Sequence, residues 1–129
     1  MRLLWDGGLR FSGTIGDTVV QIDGSAEVAP SPVQMLSAAL AGCMAIDIVD
    51  ILSKMRTAVD SLCIDLTVER AASNPRRVVA VEMTFFIVGS VPAKNVSRAI
   101  EMSRQTYCSV WHSLQADIEL ETNYEIRTE

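Results

Sequence analysis

The sequence predicts an α+β fold in which mainly antiparallel sheets pack on one long helix, and three observations carry that expectation. Short apolar runs separated by Gly- and Asp-containing pairs fill residues 1–29. An uncharged, Ala-rich stretch then runs from Ala29 to Ile46. Beyond it lie strictly alternating segments, whose period is that of a half-buried strand and not of a helix. Strands first, then a helix, then a hairpin, helices and a last strand make an α+β order. At 129 residues the chain has the length of a single domain, residues 1–129.

The opening runs are Leu3 to Trp5, Leu9 to Ile15 and Thr18 to Ile22. Asp6-Gly7-Gly8 and Gly16-Asp17 separate them, and Asp23-Gly24 closes the series, a composition suited to tight hairpins and hence to a three-stranded meander. Residues 30–56 follow. Ser31 suits the N-cap, Pro32 the first helical position, and Gln34 sits where its side chain reaches back to complete a capping box. Lys54 and Arg56 stand in the last turn, where cations complement the helix dipole. About 24 residues at about 1.5 Å each give a helix of roughly 36 Å, long for so small a chain. A helix apolar nearly all round needs cover on most sides. One chain of this size has little material to supply it, so dimerisation around the helix is expected.

Leu62, Ile64, Leu66 and Val68 alternate with Cys63, Asp65, Thr67 and Glu69, which predicts a half-buried strand. Asn74-Pro75 marks a turn, and Arg77 to Val88 reads as the hairpin partner. Pro92 opens a second helix expected to run to about Gln105. Thr106 to Gln115 reads as a further helical segment, and Ile118 to Ile126 as a last strand.

Composition excludes several functions. The pI is near 4.8, there is no run of Lys or Arg, and aromatic residues are only 5% of the chain, which argues against a nucleic-acid surface and against an anionic membrane. Ser37, Gly42, Asp47 and Asp50 interrupt a membrane-span reading of the long helix. The opening MRLLWDGGLRF lacks the apolar core and small-residue cleavage site of a secretory signal, so an intracellular, cytoplasmic protein with reduced thiols is expected. Cys43, Cys63 and Cys108 are odd in number and widely spaced, and His112 is the single histidine. That pattern fits neither a disulfide framework nor a four-ligand structural zinc site, and no metal or cofactor is expected.

The chemistry therefore rests on the cysteines. Cys43 lies mid-helix with Asp47 and Asp50 at i+4 and i+7. Among Ala, Ile and Val, a cysteine taken alone is more often an inert core residue. Asp47 opposes thiolate formation and the helix N-terminus is far away, so activation needs a cation from elsewhere in the fold. Cys108 has Arg104 at i−4 and His112 at i+4, on one face if the segment is helical throughout, and such neighbours favour thiolate. The other reading is a polar surface helix, with His112 a solvated histidine. Cys63, on the polar side of its strand, reads as structural.

The segment SPVQMLSAALAGCMAIDIVDILSKMR resembles the central helix of the OsmC/Ohr family of thiol-dependent hydroperoxidases. TYCSVWHSL, followed by an alternating strand ending in NYEI, is similar to that family's second-cysteine segment. The resemblance extends from Leu4 to Ile126 and is greatest to the small OsmC-like branch of redox proteins. It implies an intertwined homodimer with two central helices, flanking sheets and sites at the interface. It implies that Cys43 attacks peroxide, that Cys108 resolves the sulfenic acid to a disulfide, and that a cellular dithiol reduces the product. The organic-hydroperoxide enzymes add an Arg and a Glu, the Glu shortly after the Pro that opens the helix. Here Pro32-Val33-Gln34 holds no carboxylate. Arg10, Glu27, Gln34 and Asp47 are the candidate supporting residues. A two-cysteine peroxidase is thus the leading expectation. The alternative is a non-catalytic dimer that binds a small ligand in the interface pocket.

Overall fold

The computed structural model describes residues 1–128 and divides into two compact units, Met1–Ala38 and the remainder from Ala39. The first unit holds β1 (Arg2–Gly7), β2 (Arg10–Ile15) and β3 (Thr18–Asp23), an antiparallel sheet in the order β1-β2-β3. Trp5 stands opposite Phe11, which stands opposite Ile22. The β1–β2 connection is Gly8-Leu9, entered with Gly7 and Gly8 both at positive φ (100° and 56°), where other residues would be strained. The α1 helix (Pro32–Lys54) starts in this unit through the expected capping box. Gln34 donates its backbone N–H to Ser31 Oγ, and the Ser31 N–H donates to Gln34 Oε1.

From Ala39 onward lie the rest of α1, then β4 (Ser61–Arg70), β5 (Val78–Val88), α2 (Ala93–Met102), a single π-helical turn over Ser103–Tyr107, the short α3 (Ser109–His112) and β6 (Glu119–Arg127). The sheet order is β4-β5-β6. β5 is antiparallel to β4 and parallel to β6, and the parallel pairing requires a crossover, which the helices between β5 and β6 supply. Three of the four ladders are therefore antiparallel. Leu40, Met44, Ile48, Ile51 and Leu52 form one buried stripe of α1, packed in a common core with Val81, Met83, Phe85 and Ile87 of β5 and with Val96, Ala99 and Ile100 of α2. By length and composition α1 is also apolar enough to cross a membrane, a property that a buried core helix shares.

The second helix passes Gln105 as expected, but from Ser103 to Tyr107 it is π-helical. One expectation about the second half needs correction: the segment from Thr106 is not helical throughout. Cys108 has extended backbone (φ −70°, ψ 96°) and serves as the N-cap of α3, which is one turn long. Arg104, Cys108 and His112 therefore do not share a helical face.

Candidate functional site

The chain brings Cys43 and Cys108 together from 65 residues apart. Cys43 projects from the middle of α1 beside the buried stripe and is half-buried, whereas Cys108 is fully buried. The two Sγ atoms and a carboxylate oxygen of Asp47 lie within 4.8 Å of one another. Asp47 is one helical turn after Cys43, so α1 alone aligns those two groups.

Cys108 needs a different device. The Cys108 N–H donates to the Ser103 carbonyl at 2.8 Å, closing a π-helical turn whose extra residue shifts the chain out of α-helical phase. The backbone then extends, and the Trp111 N–H donates to Cys108 Sγ at 3.4 Å. Ser103, also fully buried, donates its hydroxyl to Asp47 Oδ2 at 2.8 Å. The turn that delivers the thiol thus also anchors the carboxylate.

The surroundings of Cys108 disfavour its charged form. Burial pushes the Cys108 thiol up to about 11, Cys43 and Asp47 push in the same direction, and the Trp111 N–H acts against them. Cys108 is therefore held as a thiol at neutral pH. A pocket of about 260 Å³ opens beside Asp47, with Ile51, Met55, Met102 and Tyr107 in its wall.

The other predicted residues are placed as follows. Arg10 lies in β2 with Nε 3.9 Å from Asp23 Oδ2. Glu27 is exposed and gives its backbone N–H to Asp23. Gln34 is committed to the helix cap. His112 is exposed at the end of α3, and Arg104 lines a separate groove with Glu101 and Tyr124. Cys63 is exposed on β4. Sequence reasoning missed Ser103. Its signal was there: Val96, Ala99, Ile100 and Ser103 follow one apolar helical stripe, and a serine on such a stripe needs a buried partner.

Residues 23–123 match the family described as OsmC-like protein. The chain belongs to the OsmC-like family. Protein YhfA of Escherichia coli K12 is 34% identical over 128 residues, covering 97% of this chain and 96% of that protein. Among solved structures, the fold is shared with a hypothetical protein from Aquifex aeolicus VF5 at TM-score 0.91 and 23% identity, covering 99% of this chain and 95% of that one. The organic hydroperoxide resistance protein OhrB of Bacillus subtilis superposes at TM-score 0.68 and 10% identity, with 96% of each chain covered. Cys43, Asp47 and Cys108 all lie inside the matched OsmC-like region.

Proposed function

We propose that this OsmC-like chain is a thiol-based peroxidase, acting in defence against organic or hydrogen peroxide by a two-cysteine cycle. The observation that carries the reading is the approach of Cys43 and Cys108 within 4.8 Å, one half-buried and one buried. Membership of the OsmC-like family and the fold shared with an organic hydroperoxide resistance protein add to it.

In this cycle the Cys43 thiolate attacks the outer peroxide oxygen. The O–O bond breaks, the leaving alkoxide takes a proton to become alcohol or water, and Cys43 becomes a sulfenic acid. The Cys108 sulfur then attacks the sulfenic sulfur, forming the disulfide and releasing water. A cellular dithiol returns both thiols and is itself oxidised. Asp47, one helical turn after Cys43, is assigned as a supporting residue.

The acting unit is a cytoplasmic homodimer, with residues 1–129 of each chain as one domain. Ile46 and Val49 of α1 are exposed, Ile46 at 71%, as is Trp5 of β1 at 68%. Apolar surface of this extent is characteristic of an interface.

Treating the reduced protein with cumene hydroperoxide and counting free thiols tests the reading. Two thiols should disappear per chain while Cys63 stays free. Unchanged thiols at Cys43 and Cys108 would refute it. Cys43→Ser should abolish peroxide consumption, and Cys108→Ser should allow one turnover and leave a sulfenic acid that a dimedone-type reagent traps. The carboxylate beside both thiols favours a second reading, a ligand-binding dimer, for which peroxide would leave all three thiols intact.

A further inference from the structure

Two thiols and a carboxylate converging in a half-buried to buried place form an unusual group, because each can carry negative charge and none can neutralise another. The arrangement matches what a soft or borderline divalent cation takes as ligands, thiolate sulfur together with carboxylate oxygen. We propose that Cys43, Cys108 and Asp47 form a three-donor site for a thiophilic divalent cation of the zinc class, with the fourth position open.

The geometry is close to what binding needs. Sulfur atoms bound at about 2.3 Å from a tetrahedral zinc lie about 3.8 Å apart, so donors within 4.8 Å must close by about 1 Å at most. A rotamer adjustment at half-buried Cys43 is of that size. Two outer contacts already hold the donors as metal ligands are commonly held. Ser103 Oγ donates to Asp47 Oδ2 at 2.8 Å, and the Trp111 N–H donates to Cys108 Sγ at 3.4 Å. Asp47, one of the three donors, also lines a pocket of about 260 Å³. The wide spacing of the cysteines argues only against a four-ligand structural site read along the chain. Here the π-helical turn supplies the nearness that the spacing lacks. Both sulfurs bind as thiolates, any thiol proton going to solvent as the cation enters, and no electron changes hands.

The inference needs the three donors and no reaction, so it stands or falls apart from the peroxide reading. Cobalt titration of the reduced full-length chain under nitrogen, with no peroxide present, tests it. One cobalt per chain should give a near-ultraviolet thiolate charge-transfer band and visible bands of four-coordinate geometry. Zinc should displace it, and magnesium, a hard cation, should not. Cys43→Ser, Cys108→Ser and Asp47→Asn should each weaken binding by more than the roughly 10- to 100-fold cost of losing an outer partner. Ser103→Ala, which keeps all three donors, should cost about 10-fold. It keeps the test decisive if Cys108→Ser does not fold. Cys63→Ser should bind as the parent does. A missing charge-transfer band overturns the proposal, as does a band that depends on Cys63 or affinity unmoved by Asp47→Asn and Ser103→Ala.

Discussion

In the unit from Ala39 onward, a continuous cluster of buried aliphatic side chains runs through α1, β5 and α2. In Met1–Ala38 the one buried side chain is that of Asp23, and Leu3, Leu4, Trp5, Leu9, Phe11, Ile15 and Val19 are all exposed. One unit is organised by apolar burial, the other by a carboxylate. Asp23 accepts the backbone N–H groups of Ser25, Glu27 and Val28 at 2.9, 3.2 and 3.1 Å and so shapes the loop that leads into α1. The contrast teaches that the two units have different needs. The second closes its own core, while the first leaves its apolar side chains exposed.

The largest effect should come from the core. Phe85→Ala removes a fully buried ring and should cost about 3–5 kcal/mol by denaturant unfolding. A loss under about 1 kcal/mol would mean that the second unit is less self-sufficient than its burial implies.

The next prediction concerns the carboxylate. The Ser25 N–H above all, then that of Val28, hold Asp23 below its ordinary value of 3.8. A carboxyl whose folded pKa lies below its unfolded pKa adds stability that is complete above the unfolded value and is lost as pH falls through the folded one. Protection of the Ser25, Glu27 and Val28 amides from exchange should therefore hold above about pH 4 and fall away at more acid pH. Asp23→Asn should lose it at neutral pH, leaving exchange in β5 unchanged.

Ser31→Ala should cost about 1 kcal/mol through loss of the cap. The smallest effect on the single chain belongs to Trp5→Ser. At high dilution it should leave stability within about 0.5 kcal/mol. Sedimentation at rising concentration should nevertheless show weaker self-association than the parent. Identical association by both chains would remove the case for a covered first sheet.

The same contrast explains what was legible in the sequence. Local signals identified the meander through its Gly and Asp turns, α1 through Ser31, Pro32 and Gln34, and β4 through strict alternation, because turn chemistry, capping and period are all short-range. Cys43 was recognisable through the family resemblance of its helix. The surroundings of Cys108 were not readable in the same way. A π-helical turn needs no special residue, so SRQTY looks like ordinary helix, and the 3.6-residue period placed Arg104 and His112 on a face that does not exist. The bond from Ser103 to Asp47 spans 56 residues and has no local trace beyond a serine on an apolar stripe.

The π-helical turn also makes the position of the second thiol a matter of counting. An α-helix advances about 100° per residue, so one residue more or fewer between Ser103 and Cys108 rotates everything downstream by that angle. Substitutions at Arg104, Gln105 or Thr106 leave the count intact. A single deletion there, with every functional side chain still in the chain, would turn Cys108 away from Cys43 and separate the pair. In this molecule spacing is as much a part of the site as sulfur.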